Sequence, residues 1–552
     1  MKRWLKTVPA LALIGLVSLI LACGGDSDST PLPQATASSQ IAATLGSATP
    51  SAGEGGVFRR LWNEPPTLDP HQVGDVDSAG VLVEIFSGLV TLSTDLQVEP
   101  DLAERWEVSD DGLVYTFFIR SNAKFHDGKL VTAQDVKFSL ERALDPDTYS
   151  PQVETYLDDI VGAAEKLKGT AREISGLRVI NDLTIEITID APKAYFLAKL
   201  TYPTAFVVDR ENIEKEGDDW TRKPNGTGPF ILASYKIGQE IILERNPHFY
   251  RGPALLDRVE LILSGGSAMA MYENGEIDIT GVGLADLDRV SNPQEALNRE
   301  LVVAPPGFSL SYIGFNVEQA PFDDPKFRQA LALSINKKLI ADQVLANLVV
   351  PATGILPLDF PGYNPSVQGP SYDAERAVRL LAESVYANNV PRIVITVPGT
   401  GGSVGLDLEV ILEMWRTQLG IDVEIQQVEW ATFLQDLNDR RLQAFAGLGW
   451  QADYPDPQDF LDILFHSESR LNHSAYANST VDRLLEEARV AAEWEDRKFL
   501  YNQAEQLILD DVPWIPLWFS GENVILLKPY VRGYKVTPLI VPKLKYVWIS
   551  EG

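Results

Sequence analysis

Cysteine is almost missing from this sequence. A single one, Cys23, stands in 552 residues, so no intrachain disulfide can form and no zinc or iron–sulfur site built on several thiolates is available. Histidine is nearly as scarce. Five are scattered along the chain, which speaks against a conventional metal centre, and neither a metal nor any other cofactor is expected. Positive charge is also short: Lys plus Arg total 47 against 77 Asp plus Glu, for a formal net charge of −30. So acidic a surface repels phosphate backbones, and nucleic acid is not an expected partner. No apolar run is long enough to span a membrane, because the longest, residues 8–22, stops short of the ~20 residues a spanning helix needs. No repeat of solenoid period is visible.

What is there reads as a large globular protein. Hydrophobic residues make up 45% and charged ones 22% of the chain, whose length suits three or four units of roughly 150 residues each. The N-terminus stands apart. Lys2, Arg3 and Lys6 precede the apolar run, as in a secretory signal peptide over 1–22. The run ends Ile20-Leu21-Ala22-Cys23-Gly24, which resembles the lipobox of bacterial lipoproteins. That resemblance implies cleavage before Cys23, lipidation of its thiol and attachment to a membrane by more than one acyl chain. The plain alternative is a free cysteine after an ordinary cleavage site. Residues 23–56 are Ser, Thr, Ala, Gly and Pro with almost no large apolar side chain, the composition of a flexible tether.

From residue 57 onward, short strands interleave with amphipathic helices. Residues 113–120 are rich in β-formers, 183–189 alternate apolar with polar, and 229–235 and 240–244 read as paired strands. Thr132 and Asp135 suit a capping box, opening a helix with Val136, Leu140 and Ala143 on one face. Asp324 caps another, with Pro325 first and Phe327, Ala330, Leu331 and Ile335 inward. Residues 391–429 form a β-α-β candidate, Val481, Leu484, Leu485, Ala488 and Ala492 recur at helical spacing, and the apolar run 513–527 should end in sheet. The pattern is mixed α/β in several lobes, without the strict alternation of one doubly wound sheet.

Two motifs bear on chemistry. Gly401-Gly402-Ser403-Val404-Gly405 matches G-x-S-x-G, and Asp453 with His466 or His473 would complete the order of a secreted serine hydrolase. However, Pro398-Gly399-Thr400 separates strand from match, and so many glycines describe a pliant loop instead. The loop lacks the residues of a phosphate cradle. His466 and His473, seven apart, do not form a helical ligand pair and read as exposed or capping histidines; His126, in Phe-His-Asp-Gly, reads as a turn residue. The second motif is Gly449-Trp450-Gln451-Ala452-Asp453-Tyr454-Pro455-Asp456-Pro457, at the end of a strand over 444–449. A carboxylate between aromatic walls holds an organic ammonium by ion pair and cation–π attraction. Its bland counterpart is a surface turn capped by aspartate.

In order along residues 57–550, the chain carries Pro66-Thr-Leu-Asp-Pro70, Glu84-Ile-Phe-Ser-Gly-Leu-Val90, Tyr115-Thr-Phe-Phe-Ile-Arg120, Lys124-Phe-His-Asp-Gly128, Asn225-Gly-Thr-Gly-Pro-Phe230, Pro321-Phe-Asp323, Trp450-x-Ala-Asp-Tyr454 and Ile515-Pro-Leu517. This series resembles the oligopeptide/dipeptide-type solute-binding proteins of ABC importers, family 5. The resemblance implies a two-lobed periplasmic-binding-protein type II fold with an extra α/β domain in the first lobe. Lobe I would comprise 57–87, 203–306 and 520–552, the extra domain 88–202, and lobe II 307–519. It further implies that Asp453 pairs with a peptide's α-ammonium, that the backbone of Gly449, Trp450 and Gln451 pairs with the peptide as a strand, and that Gly74, Asp75 and Val76 match the opposite strand. Trp450 and Trp430 would be pocket walls, while Tyr454 is a candidate ligand-binding residue as the second aromatic flanking Asp453. The basic residues that hold the far carboxylate in some relatives have no clear counterpart here.

The expectation is therefore a binding protein rather than an enzyme, a monomer that captures peptides between hinged lobes and hands them to an ABC transporter permease. It would be lipid-anchored through Cys23 at the outer face of the cytoplasmic membrane. The alternatives are a non-peptide solute on the same fold (a metal chelate, an oligosaccharide or an opine) and a hydrolase using Ser403.

Overall fold

The computed structural model describes residues 55–550 except 400 and 403, so the signal segment, Cys23, most of the tether and Ser403 lie outside the described residues. Three principal sheets organise the rest. A seven-stranded mixed sheet runs in the order Leu301–Ala304, Asn523–Leu527, Ile279–Gly281, Val57–Leu61, Arg258–Ile262, Glu240–Arg245, Phe230–Lys236. A six-stranded one runs Val349–Pro351, Trp514–Ser520, Ser309–Phe315, Ala444–Gln451, Val394–Pro398, Glu424–Val428. Between the first two strands of the former in sequence lies an antiparallel sheet of four: Ala103–Val108, Val114–Ile119, Thr184–Thr188 and Leu177–Asn181.

Local sequence accounts for these elements. Along Val114–Ile119 every second residue is buried, Tyr115, Phe117 and Ile119, and Ile185 and Ile187 face them on the paired strand. Thr132 and Asp135 form the reciprocal capping box, and the helix Ala133–Ala143 buries Val136, Leu140 and Ala143. Asp324 accepts the Lys326 N–H at 2.9 Å at the head of the helix Pro325–Leu333. Val394–Pro398 and Glu424–Val428 pair in parallel across the helix Leu406–Met414, as a β-α-β unit must. The helix Ser479–Val490 buries Val481, Leu484, Leu485 and Ala488 but ends before Ala492, which lies exposed beyond it.

The six-stranded sheet has a core on each face. Leu310, Tyr312, Phe445 and Trp514 belong to one cluster, and Ile313, Phe315, Ile395 and Ile515 to the other. The apolar run at 513–527 serves two sheets rather than one. Trp514–Ser520 closes against Ser309–Phe315, the chain turns at Gly521, and Asn523–Leu527 then enters the seven-stranded sheet. The other passage, between Leu301–Ala304 and Ser309–Phe315, runs beside it. Asn523 Nδ2 donates to the Pro305 carbonyl at 2.8 Å, and the hydroxyls of Ser309 and Ser520 meet at 2.6 Å.

Buried carboxylates hold several joints. Glu505, on the helix Trp494–Asp511, is 2% exposed and accepts the N–H groups of Ile355 at 2.7 Å and Leu356 at 3.0 Å. Burial pushes its pKa from 4.5 up to about 7, against the pull of those two N–H groups. A folded-state pKa raised above the unfolded one contributes stability that is complete below the unfolded value and lost as pH rises through the folded value. Glutamine mimics the protonated form. Measured by urea denaturation, the stability of Glu505→Gln relative to the native chain should rise by up to ~1.4 kcal/mol per pH unit between about pH 5 and 7 and level off above. Taking the difference cancels the histidines, which titrate in both proteins. A pH-independent difference would contradict this account.

Candidate functional site

The strand Ala444–Gln451 carries glycine at 447 and 449, residues that weaken a strand and mark bulges. Here Ala446 and Gly447 together oppose the single residue Ile313, and Gly447 has φ of 72°, the left-handed conformation of a glycine bulge. The parallel neighbour Val394–Pro398 pairs only at Ala444 and Phe445, ahead of the bulge. Beyond it, the strand continues two residues further than sequence suggested, with one edge open. The Ala452 N–H donates to the Phe308 carbonyl at 2.8 Å on the paired side. By the alternation of an antiparallel ladder, the N–H and C=O groups of Gly449 and Gln451 therefore point to the open edge.

That edge borders a cavity of about 680 Å³ between the six-stranded sheet and the rest of the molecule. Gly449, Trp450, Gln451, Asp453 and Trp430 line it from one side, and Gly74, Asp75 and Val76 from the other. Val76 is the first residue of a helix, which leaves Gly74 and Asp75, but not Val76, outside it to face a ligand as extended backbone. Tyr454 does not line the cavity. Its neighbour Asp453 points into the cavity, and Tyr454 is fully buried in the core, edge-on to Tyr156 at 6.3 Å with its hydroxyl donating to Gln458.

Asp453 is held by groups distant in sequence. The Tyr156 hydroxyl donates to its Oδ2, and its own N–H donates to Asp459 Oδ2 at 3.0 Å. Tyr156, on the short helix Val153–Leu157, stacks flat on Tyr202 with ring centroids 4.1 Å apart, and Tyr202 also lines the cavity. Among the described residues, neither Asp453 nor the fully buried Asp459 has a cation within ion-pair distance, and Asp459 Oδ1 has no hydrogen-bond partner. Burial pushes the Asp453 pKa up to about 7, opposed by the Tyr156 hydrogen bond. Asp459 is raised well above the carboxylate range by burial and then by the charge of Asp453. The indole N–H of Trp430 is buried without a partner, and that of Trp450 is turned to Asp459, whose pKa it pulls down against burial. Among the described residues that line the cavity there is no lysine or arginine.

Two of the histidines are more buried than expected. His466 and His473 are 4% and 7% exposed, so neither is a surface residue, although His466 does terminate the helix Gln458–Phe465. The loop that carries them packs against the helix Trp430–Asn438, where His473 Nε2 meets Asn438 at 3.0 Å. His466 Nε2 faces Glu486, and no hydrogen bond joins either imidazole to Asp453 among the described residues. His126 holds a turn by its contact with the Gly228 carbonyl. Tyr156, Tyr202 and Asp459 were not signalled by any local pattern.

Residues 97–472 match the model of the bacterial extracellular solute-binding proteins, family 5 Middle. The chain belongs to that family. It is 32% identical over 504 residues to the probable deoxycholate-binding periplasmic protein YgiS of Escherichia coli K12, covering 89% of this chain and 91% of that protein. It is 30% identical over 488 residues to the periplasmic oligopeptide-binding protein OppA of Haemophilus influenzae, covering 85% and 89%. The structure of Haemophilus influenzae OppA in complex with RPPGFSPFR superimposes with a TM-score of 0.79 at 26% identity, over 91% of this chain and all of that one. The murein tripeptide binding protein MppA of Escherichia coli gives 0.80 at 26% identity, over 91% and 99%, whereas its unliganded open form gives 0.65 at the same identity, over 91% and 98%. The fold is the two-lobed type II periplasmic-binding-protein fold, and the chain matches the OppA complex with RPPGFSPFR better than the unliganded open form of MppA.

Gly447 fixes where the strand edge opens. A side chain there must adopt φ of 72°, and its Cβ would lie 3.3 Å from Pro398 Cδ. Gly447→Val should cost about 1–3 kcal/mol in urea denaturation. A neutral substitution would show that the bulge is not needed.

Proposed function

We propose that this chain is the extracytoplasmic receptor of an ABC importer for peptides, a binding protein rather than an enzyme, closing its two lobes around the ligand. The observation that carries the reading is the pair of carboxylates at the head of an open strand edge, Asp453 half-buried at the cavity wall and Asp459 fully buried behind it, with no cation beside either among the described residues. A peptide supplies both missing parts: an α-ammonium for Asp453, and extended backbone for Gly449 and Gln451. Backbone pairing reads no sequence, so many peptides fit. The known ligands of relatives support this, as does the OppA complex with RPPGFSPFR. A deoxycholate-like ligand, a carboxylate on an apolar body, finds no lysine or arginine along the cavity. The hydrolase alternative has no acid–base relay through Asp453, since neither His466 nor His473 is bonded to it.

The domain limits of the reading are 57–87, 203–306 and 520–552 for lobe I, 88–202 for the extra domain and 307–519 for lobe II. Sheet membership supports them, since nearly every strand of each principal sheet falls within one set. Cys23 anchors a monomer to the outer face of the cytoplasmic membrane through the tether, and the permease of the importer receives the closed receptor. No helix among the described residues is long and apolar enough to cross a membrane.

Two measurements test this. Removing one partner of an enclosed ion pair costs ~3–5 kcal/mol, since the other charge is left alone. Asp453→Asn should therefore weaken binding of free peptides by about a hundred- to several-thousand-fold in calorimetry, and N-acetylated peptides should bind the native protein comparably poorly. Affinity should peak between the Asp453 pKa of about 7 and the peptide amine's value of about 8, falling by up to tenfold per unit on the acid side as Asp453 takes up a proton. Equal binding of free and acetylated peptides would remove Asp453 as the anchor. Separately, Cys23→Ser should release the protein from membranes, and sedimentation with membranes at high salt would disprove the lipid anchor.

A further inference from the structure

The charges along the cavity are of one sign. Asp75, Asp439 and Asp453 line it, and among the described residues that do so there is no lysine or arginine. Asp439 is paired with Arg441 at 2.8 Å, which leaves Asp75 on one lobe and Asp453 on the other. Both stand close to Tyr202: burial raises that hydroxyl's pKa most, and the charges of Asp453 and then Asp75 add to it. Asp75 accepts the N–H groups of Asp77 at 3.0 Å and Ser78 at 2.9 Å as a helix cap, which fixes its carboxylate at the cavity wall without neutralising it. His473 supplies no positive charge, because burial and Arg440 beside it hold its pKa down at about 3. The guanidinium groups nearest the cavity are turned to other partners, Arg441 to Asp436 and Asp439 and Arg440 to the Ser469 carbonyl at 2.9 Å. Two more belong to an adjoining cavity of about 660 Å³ beyond Pro66, Thr67 and Gln72. There Arg142 is committed to Asp69 at 2.6 Å, and Arg222 has no ion pair among the described residues. The net charge of −30 adds a long-range field of the same sign.

We propose that this cleft selects peptides of net positive charge and does not read their carboxyl terminus. The inference rests on the peptide-receptor reading and names its ligand class. A carboxylate drawn into the cavity would lose its water and meet no cation, so the favourable arrangement leaves the far end at the mouth, where an amide serves equally. A lysine or arginine side chain inside meets Asp75 instead, while a glutamate faces repulsion from both lobes. The acidic surface speeds encounter with cationic ligands and makes it depend on salt.

Calorimetry on the purified full chain tests the selection with Ala-Ala-Ala, its C-terminal amide, and the amides of Ala-Lys-Ala and Ala-Glu-Ala, together with alanine pentapeptide as acid and amide. Amide and acid should agree within threefold or favour the amide at both lengths, and the lysine peptide should bind at least tenfold tighter than the glutamate one. Asp75→Asn keeps an equally good helix cap while removing the charge, and should cut that lysine preference at least threefold. A free-acid advantage above threefold at either length would overturn the claim about the carboxyl terminus, and in the pentapeptide alone it would point to Arg222. Equal binding of the lysine and glutamate peptides, or an undiminished preference in Asp75→Asn, would overturn the charge selection. If none of the peptides binds at millimolar concentration, the peptide-receptor reading itself fails, an outcome distinct from the others.

Discussion

Taking a carboxylate out of water without a cation beside it is costly, and the structure does so fully at Asp459 and in part at Asp453, whose remaining exposure is to the cavity. The usual outcome is a raised pKa. It is met at both positions: Asp453 rises to about 7 and Asp459 well above the ordinary carboxylate value. Such an arrangement is stable only because neighbours hold it, the Tyr156 hydroxyl on one carboxylate and the Asp453 N–H on the other. Tyr156 in turn is fixed by its stacking on Tyr202. Two carboxylates without a cation of their own are what give an incoming ammonium its advantage over water. A site with its own lysine would be more stable and would bind less.

The same region shows how one residue type governs both shape and exposure. Gly447 takes the left-handed conformation, the strand gains an extra residue against Ile313, and pairing with Val394–Pro398 ends. The freed edge is normally a liability, because unpaired strand edges invite aggregation. Enclosing it between two lobes reserves it for a chain that enters the cleft. Fold stability and recognition thus meet at a glycine that itself makes no side-chain contact.

Much of the local structure was legible because its causes are local. The alternation of Val114–Ile119, the Thr132–Asp135 box and the Asp324-Pro325 start all depend on residues a few positions apart, and each stands where the sequence put it. The cluster around Trp450 and Asp453 could be recognised as a site for the same reason. What could not be read is set by distance. Tyr156 reaches Asp453 across 297 positions, and no spacing rule connects them. Tyr454 reads as a wall in sequence because it adjoins Asp453, yet the chain bends directly after the strand and carries its ring into the core. The burial of His466 and His473 depends on a helix from elsewhere lying across their loop. Which of the glycines at 447 and 449 bends the strand depends on register with Ser309–Phe315, which the strand's own sequence does not contain.

The two passages between the large sheets lie side by side, joined by Asn523 to the Pro305 carbonyl and by Ser309 to Ser520. Two parallel straps fastened to each other resist twisting and sliding but still bend about a common line, so the lobes have one easy degree of freedom. Cargoes that differ in length or side chains then drive the same rotation to the same end point. The outer surface that a membrane partner meets reports only whether the jaws are shut, and the identity of what they hold stays hidden inside.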